Sequence, residues 1–365
     1  MKGSETMKIT STALALLVTL SPLPALANAP ANPAVERTGA DRLRISWAES
    51  SAVDVYMADR PDAKLDLATR ISARDSDGLH EVIAPAGKRA YFLLRDAASG
   101  DEVRVAERLL PLERGSNFRD IGGYPAAGGK HVRWGMIYRS GATPLLSDAD
   151  LQAVRDLGLT SLVDLRSSEE RQLAPTRIVG VPYHAIGYSM NEIFAAMRPA
   201  QGPSEEPLKN GSALYRRMPE LLAPQMRVLF GELLAKKGPI AYNCSAGQDR
   251  TGFATALILS TLGVPRDVII ADFHLSTQYR RPEFEMVKFD PAAFPDNAAA
   301  RVFARYSSGQ GMAKPKPLKE ADGTAFISAA LDEIDRTYGS VDSYLARVAN
   351  VSKADVEALR AHYTE

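Results

Sequence analysis

The segment from residue 239 to 262 constrains the fold of this chain most strongly. It begins with a short apolar run, Pro239–Asn243, continues into a polar loop that holds the only cysteine, and ends in an apolar stretch followed by Gly263. This order predicts a buried strand, a tight loop and a helix over 251–262. A buried strand that leads directly into an apolar helix favours an α/β domain with a mostly parallel sheet.

The same alternation of strands and helices extends over residues 114–365. Further strands are predicted over 132–138, 160–165 and 178–186. Ser147 begins a helix with a capping-box pattern because Asp150 follows three residues later, and Ser352 with Asp355 repeats the pattern near the end. The sequence therefore predicts one domain over 114–365, a central sheet flanked by helices.

Two long insertions interrupt this domain, at residues 190–235 and 275–322. The first is rich in Met, Leu and Arg at helical spacing, and the second is rich in Pro, Lys and Arg. Segments of this length often cover a functional site, so a helical lid is one expectation. For the first insertion, an amphipathic helix that packs on the core is the other expectation, and both stay open.

Residues 41–113 show a β pattern instead. Short apolar or alternating runs are predicted as strands at 43–47, 53–57, 81–83, 90–94 and 102–106. Turns containing Gly, Pro and Asp separate them, which is typical of a small β-sandwich, and the length resembles a fibronectin-type-III module. We expect this unit to be an accessory domain, joined through a linker at residues 30–40 to what precedes it.

The N-terminal residues 1–29 have the pattern of a secretory signal peptide. Lys2 and Lys8 precede an apolar run over 13–20, and the small-residue triplet Ala27-Asn28-Ala29 follows. The apolar run is too short for a stable membrane span. The sequence therefore predicts export, with cleavage near Ala29 and a periplasmic or secreted location, and no stable membrane insertion.

The composition limits the classes of partner and site. Lys plus Arg and Asp plus Glu both number 44, so the formal net charge is zero and nucleic acid is not an expected partner. Cys244 is the only cysteine in 365 residues, which excludes an internal disulfide. No histidine pair has metal-ligand spacing. A lone thiol in an exported protein suggests that the thiol itself has a chemical use.

The loop after the strand at 239–243 has the pattern C-x5-R-[ST], formed by Cys244, Arg250 and Thr251. A loop at a helix N-terminus directs backbone N–H groups and the helix dipole at one point, which suits a phosphate. Arg250 would hold two phosphoryl oxygens with its planar fork. The residues expected to form the phosphate cradle are Ser245, Ala246, Gly247, Gln248, Asp249 and Arg250.

The same environment favours the thiolate of Cys244, which can attack phosphorus in line and form a phosphocysteine. Water would then hydrolyse this intermediate. No metal or cofactor is needed, because backbone amides and Arg250 neutralise the developing charge. Thr251 is expected to donate a hydrogen bond to the sulfur.

The segment Cys244–Gly252 resembles the phosphate loop of the cysteine-based protein tyrosine phosphatases, in particular the bacterial tyrosine and dual-specificity branch that includes the secreted mycobacterial enzymes. Four other blocks are similar to that family in the same order: Asn117–Tyr124, Tyr138–Gly141, Val163–Arg166 and Ala271–Phe273. The resemblance covers residues 114–365 and implies Asp249 as the general acid. Asp164, at a strand end, is the other candidate acid, and Asp120 and Arg119 are expected to brace the loop.

Two positions depart from the family pattern. Asn243 stands where the family has His before the cysteine, and Gln248 stands where it has Lys before the loop aspartate. The resemblance implies a phosphatase for phosphotyrosine, with dual specificity as an extension. The open alternatives are a phosphoinositide or inositol phosphate phosphatase, which the neutral Gln248 disfavours, and an inactive fold that binds phosphorylated partners. The expected partner is in each case a phosphorylated protein or a small phosphomonoester.

Overall fold

The computed structural model describes residues 29–48, 51–84, 88–191, 211–307 and 314–365. The predicted signal peptide, apart from Ala29, and residues 192–210 of the first insertion lie outside these ranges. Within them, none of the helices combines the length and the apolar character that a membrane crossing requires.

The N-terminal part forms two antiparallel sheets. Its strands are β1 (Ala31–Arg37), β2 (Arg42–Ala48), β3 (Val53–Ala58), β4 (Thr69–Asp75), β5 (Leu79–Ile83), β6 (Tyr91–Asp96) and β7 (Glu102–Ala106). One sheet has the order β1-β2-β5 and the other β4-β3-β6-β7. Buried side chains from both sheets, including Ile45 and Trp47 of β2 and Val55 and Phe92 of the other sheet, share one apolar cluster.

The prediction of a linker at residues 30–40 is wrong, because β1 lies there and pairs with β2. The strand is at the edge of its sheet, and its register shifts between Ala31 and Ala34, around Pro33. Proline lacks the N–H that a central strand needs, but an edge strand or a bulge tolerates it. The Ala- and Pro-rich composition of this segment therefore led to a linker prediction where the structure has a strand.

The C-terminal part confirms the predicted α/β class. Its sheet contains β8 (Arg119–Asp120), β9 (Ile137–Ser140), β10 (Ser161–Asp164), β11 (Tyr183–Ala185) and β12 (Ile240–Asn243), in the order β11-β10-β12-β9-β8. The first four strands of this order are parallel to one another, and β8 runs antiparallel to β9. The central strand β12 leads directly to the cysteine loop.

Helices cover and extend this sheet. They are α1 (Asp148–Arg155), α2 (Ser168–Leu173), α3 (Gly211–Leu221), α4 (Ala223–Ala235), α5 (Asp249–Thr261), α6 (Arg266–Tyr279), α7 (Ala298–Ser307), α8 (Phe326–Tyr338), α9 (Val341–Ala349) and α10 (Lys353–Tyr363). The capping boxes predicted at Ser147 and Ser352 are both present. Tyr215 and Met218 of α3 lie in the main core cluster, so the described part of the first insertion packs on the core.

In the C-terminal part, three elements begin or end two residues or more away from the prediction. The strand expected over 132–138 is β9, which begins only at Ile137, because Gly135 adopts a positive φ of 78° that breaks the extended run. The strand expected over 178–186 is limited to β11. The helix expected at Thr251 begins at Asp249, so the end of the cysteine loop is already helical.

Candidate functional site

The loop between β12 and α5 spans residues 244–248 and turns sharply at Gly247. This glycine has a φ of 63°, in the left-handed region. A Cβ atom there would also lie 2.5 Å from the backbone N of Gly141 and 2.6 Å from the carbonyl oxygen of Ser140. Both the conformation and the close approach to the end of β9 therefore require glycine.

The carbonyl groups of the loop are bonded outward. Asn117 Nδ2 donates to the carbonyl oxygen of Gly247 at 2.7 Å, and Arg139 Nη2 donates to the same oxygen at 2.9 Å. The backbone N–H of Ala142 donates to the carbonyl of Ser245 at 2.9 Å. In the part of the chain that the structure describes, the backbone N–H groups of residues 245–248 donate to no protein acceptor. The loop thus leaves these donors available for an anion.

Cys244 follows the last residue of β12 and is buried, with 2% of its surface exposed. It lines a cavity of about 220 Å³ that also contains Ser245, Ala246, Asp249, Arg250, Arg280, Pro282, Glu285, Met286 and Phe303. The structure therefore brings Cys244, Arg250 and Asp249 to one cavity. Among the described residues, no group of three or more His, Cys, Asp or Glu side chains could hold a metal ion.

Thr251 does not make the hydrogen bond to the sulfur that the sequence suggested. Its Oγ1 is buried and has no hydrogen-bond partner among the described residues. Because α5 begins two residues earlier than predicted, Thr251 lies inside the helix with its side chain fully buried.

Glu170 holds the guanidinium of Arg250 in a two-pronged ion pair. Nη1 of Arg250 lies 2.6 Å from Oε2 of Glu170, and Nη2 lies 2.7 Å from Oε1. Nη1 also donates to the hydroxyl of Tyr188 at 2.6 Å, and the Ser245 hydroxyl donates to Oε1 of Glu170 at 2.6 Å. Arg250 and the cysteine loop are therefore fixed to the same carboxylate.

Glu170 and Arg250 each stabilise the ionised form of the other. Burial disfavours the ionised form of Glu170, but Arg250 and the Ser245 hydroxyl outweigh it and lower the pKa of Glu170 to about 2. Burial likewise disfavours the cation of Arg250, but Glu170 raises the pKa of Arg250 well above its ordinary value. Both groups are thus ionised at neutral pH.

Asp249 lies in the first turn of α5, beside Arg250. Its Oδ1 accepts a hydrogen bond of 2.8 Å from the hydroxyl of Tyr215, a core residue of α3. Burial, followed by the charge of Asp249, raises the pKa of Tyr215 well above its ordinary value, so the phenol stays a donor. One carboxylate oxygen is therefore oriented by Tyr215, and Asp249 lines the cavity.

Asp164, the other candidate acid, is engaged elsewhere. It lies at the end of β10 and forms an ion pair of 2.6 Å with Arg166, and it accepts a hydrogen bond of 2.8 Å from Tyr183. Burial opposes its ionisation, but Arg166 lowers the pKa of Asp164. It does not line the cavity, which favours the structural interpretation of this residue.

Arg119 braces the loop, whereas Asp120 faces away from it. Arg119 pairs with Asp272 at 3.2 Å and donates to Asn117, the residue that holds the loop carbonyls. Arg139 pairs with the same Asp272 at 2.6 Å. Burial opposes the ionisation of Asp272, but Arg119 and Arg139 lower the pKa of Asp272, so one buried carboxylate ties both arginines together.

Asp120 accepts hydrogen bonds from the backbone N–H of Gly122 and from Arg89, on the side of the N-terminal sheets.

Gln248 has a cationic neighbour that the sequence did not reveal. Arg280 Nη1 donates to Oε1 of Gln248 at 2.7 Å. The same guanidinium is paired with Glu285 through contacts of 3.0 and 2.8 Å. The charge of Arg280 is therefore compensated locally, and the site gains a hydrogen bond rather than a net cation.

Sequence reasoning missed Glu170, Tyr188, Tyr215 and Arg280. A usable signal exists only for Glu170, which stands three residues after Ser167 in a capping box directly after β10. Strand ends of a parallel sheet face the functional site, so a helix that begins there could have been suspected. The other three lie far from the loop in sequence and form no pattern.

A family model and several known proteins are similar to this chain. The family model described as the tyrosine phosphatase family matches residues 110–365. A protein of Cupriavidus necator named as a tyrosine-protein phosphatase is 34% identical over 262 residues, which cover 68% of this chain and 85% of that protein. The triple specificity protein phosphatase PtpB of Mycobacterium tuberculosis is 31% identical over 278 residues, 67% of this chain and 95% of that protein. A crystal structure of P. aeruginosa TpbA with phosphotyrosine covers 64% of this chain and 88% of its own at 14% identity, but its TM-score of 0.20 carries no argument.

The Glu170–Arg250 pair predicts a loss of anion binding when it is broken. In Glu170→Gln, we expect the affinity for inorganic phosphate to fall about tenfold or more, because Arg250 loses its charged partner and its fixed orientation. Isothermal titration calorimetry measures this. Glu169→Gln is the matched control, since Glu169 contacts Ser189 and Met190 instead. Equal affinities for both variants would contradict this role of Glu170.

The pKa of Glu170 also predicts a pH dependence of stability. Because folding lowers this pKa from 4.5 to about 2, the ionised group stabilises the protein fully above pH 4.5, and this contribution is lost as the pH falls towards 2. Its size is about 3 kcal/mol at neutral pH. Urea denaturation of the wild type and Glu170→Gln at several pH values should show a difference in unfolding free energy that shrinks in acid. A difference that stays constant down to pH 2 would contradict the assignment.

Proposed function

The chain belongs to the tyrosine phosphatase family, and we propose that it hydrolyses phosphotyrosine through a phosphocysteine formed on Cys244. The observation that carries this proposal is the arrangement of the loop. Its carbonyls are bonded outward to Asn117, Arg139 and Ala142, while its free N–H groups lie between the thiol and the start of α5. Such an array stabilises charge that develops on a phosphoryl group.

Arg250 is suited to bind the phosphate while it remains paired. A guanidinium has five N–H donors, and the contacts with Glu170 and Tyr188 use three of them. The remaining two can each reach a phosphoryl oxygen. The contacts to Glu170 then hold the fork in place, so that little side-chain entropy is lost when the substrate binds.

The chemistry proceeds in two displacements. The Cys244 thiolate attacks phosphorus, an S–P bond forms, and the bond from phosphorus to the phenolic oxygen breaks while Asp249 gives its proton to the leaving oxygen. Water then attacks phosphorus, Asp249 takes a proton back, and the thiolate leaves with release of inorganic phosphate. The hydrogen bond from Tyr215 orients the carboxyl group through both steps.

The substrate range follows from the walls of the cavity. The mycobacterial relative is named a triple specificity phosphatase, which supports a site that accepts other phosphorylated side chains besides phosphotyrosine. The cation of Arg280 is compensated by Glu285 and Gln248 is neutral, so these residues offer no surplus charge for additional phosphates. Phosphoinositides are therefore a less suitable substrate class than phosphorylated side chains.

We propose that the two N-terminal sheets form a fibronectin-type-III-like β-sandwich that serves as an accessory domain over residues 41–113, with β1 as an additional strand. The shared apolar cluster supports this interpretation. The domain over 114–365 carries the chemistry, and the helices and 3-10 turns of residues 275–307 line one side of the cavity as its cover.

The order of residue types over 1–29 supports export, and we propose cleavage after Ala29 and a periplasmic or secreted enzyme. The lone thiol of Cys244 is compatible with an oxidising compartment because it is buried and has no second cysteine as partner.

The proposed mechanism predicts different defects for two variants. Cys244→Ser should lose turnover of para-nitrophenyl phosphate and phenyl phosphate alike, because the nucleophile is gone. Asp249→Asn should lose at least about a hundredfold in kcat with phenyl phosphate, whose leaving group needs a proton, and much less with para-nitrophenyl phosphate. Steady-state kinetics on both substrates measure this.

Para-nitrophenyl phosphate, which has the better leaving group, is the internal control for the Asp249→Asn variant. Equal losses of kcat on both substrates would exclude Asp249 as the general acid and leave Asp164 as the candidate. Full activity of Cys244→Ser would contradict the phosphocysteine mechanism. Tight phosphopeptide binding by the wild type without turnover would favour a binding protein.

The export proposal predicts the N-terminus of the mature protein. When the full chain is expressed in a bacterium with a periplasm, the protein recovered from that compartment should begin at Pro30, as measured by mass spectrometry of the N-terminal peptide. Replacing Ala27 and Ala29 by arginine should leave residues 1–29 attached, because the peptidase requires small residues there. An intact Met1 on the exported wild type would contradict the cleavage.

A further inference from the structure

The strands β8 and β9 form a two-sided bracket between the N-terminal sheets and the cysteine loop. Arg119 is opposite Arg139, and Asp120 is opposite Tyr138. Because successive side chains of a strand point to opposite faces, each residue pair occupies one side of the bracket. The two sides contact different parts of the molecule.

The arginine side of the bracket holds the loop. Arg139 donates to the carbonyl of Gly247 at 2.9 Å, and Arg119 donates to Asn117, which donates to the same carbonyl at 2.7 Å. The end of β9 also forms a wall of the loop, since the Ser140 carbonyl lies within 2.6 Å of where a Cβ on Gly247 would be. A displacement of β9 would therefore move the phosphate cradle directly.

The opposite side of the bracket is held by Arg89, which lies two residues before β6 of the N-terminal sheets. Nη1 of Arg89 lies 2.8 Å from Oδ2 of Asp120 and donates to the hydroxyl of Tyr138 at 3.2 Å. The Arg89 side chain is 7% exposed, and the Asp120 side chain is not exposed at all. The N-terminal sheets thus insert one buried cation into the back of the bracket.

Aromatic rings enclose this cation. The guanidinium carbon of Arg89 lies 4.8 Å from the ring centre of Tyr91, 5.6 Å from that of Trp134 and 5.7 Å from that of Tyr138. Its Nη2 is buried and has no hydrogen-bond partner among the described residues, so the rings are its neighbours in place of an acceptor. Asp120 also accepts the N–H of Gly135 at 2.7 Å, two residues before β9. The cation, the carboxylate and the rings fix where β9 begins.

We propose that Arg89 is a positioning residue for catalysis, and that through Asp120 and Tyr138 it holds β9, and with it Arg139 and the Gly247 carbonyl, in the geometry that the phosphate cradle needs. The inference rests on the proposed phosphatase function of Cys244. It makes the N-terminal sheets a part of the catalytic framework, although none of their residues lines the cavity. Reacting groups tolerate little displacement, since an error of about 1 Å can cost about a hundredfold in rate.

The experiment compares Arg89→Met and Arg89→Lys in the full-length mature protein. We expect Arg89→Met to lose about tenfold to a hundredfold in kcat/KM for para-nitrophenyl phosphate, because β9 is no longer fixed from behind. We also expect slower alkylation of Cys244 by iodoacetamide at neutral pH, since a displaced cradle stabilises the thiolate less well. Arg89→Lys keeps a cation against Asp120 and should recover most of both values.

Val53→Ala is the matched control. Val53 of β3 is buried in the apolar cluster of the two sheets, with 1% of its surface exposed, and it lies on neither strand of the bracket. Its truncation should lower the thermal midpoint of unfolding, because it leaves a cavity in that cluster, but leave kcat/KM and the alkylation rate unchanged at temperatures well below that midpoint. A similar loss of activity in Val53→Ala and Arg89→Met would overturn the proposal, because general loosening of the sheets would then explain both.

Three further outcomes also test the positioning role of Arg89. If Arg89→Met does not fold, Asp120→Asn removes the charge with which Arg89 pairs, and an unchanged kcat/KM together with an unchanged alkylation rate in that variant overturns the proposal. A wild type without turnover defeats the proposed function instead. An active wild type with an equally active Arg89→Met variant defeats only the positioning role.

Discussion

The buried carboxylate of Asp272 is the interaction on which the rest of the site depends. It lies between two fully buried arginines, Arg119 and Arg139, which contact the carbonyl side of the cysteine loop directly or through Asn117. Unpaired, either cation would be too costly to bury. With one carboxylate for two guanidinium groups, the cluster keeps a surplus positive charge behind the loop. Burial and the nearby Arg119 lower the pKa of Arg139, and the charge of Asp272 acts in the opposite direction. The scaffold therefore favours an anion at the loop before any substrate arrives.

A second carboxylate plays a comparable part at the front of the site. Glu170 accepts a hydrogen bond of 2.9 Å from the backbone N–H of Ser167, which completes the capping box of α2. It also accepts hydrogen bonds from Arg250 and from the hydroxyl of Ser245. The start of α2 is thereby coupled to the cysteine loop. Asp272 fixes the loop from the sheet side and Glu170 fixes Arg250, so two buried carboxylates brace the loop.

The sequence was sufficient for the parts of the molecule that depend on local order. Cys244, Arg250 and Asp249 could be assigned to one cavity because a strand, a loop and a helix N-terminus are consecutive in the chain. The α/β class followed from the same alternation. The residues that orient these side chains were not found, because Glu170, Tyr188, Tyr215 and Arg280 reach the cavity only through tertiary packing. Asp272 and Arg139 lay in blocks that resembled the family, but their pairing could not be derived from spacing. The error at β1 had another cause: an edge strand can accommodate Pro33, so composition alone suggested a linker.

The donor arrangement of Arg250 has a consequence for how this position can vary. Glu170 and Tyr188 take both donors of Nη1 and one donor of Nη2, which leaves the edge formed by Nε and Nη2 for an anion. A lysine has a single ammonium centre and cannot present two edges at a fixed angle. The anchoring partner and the substrate would then compete for one group, and whichever bound it more tightly would displace the other. Replacing Arg250 by lysine would keep the positive charge, but Glu170, which supports the arginine in this protein, would then compete with the substrate for it.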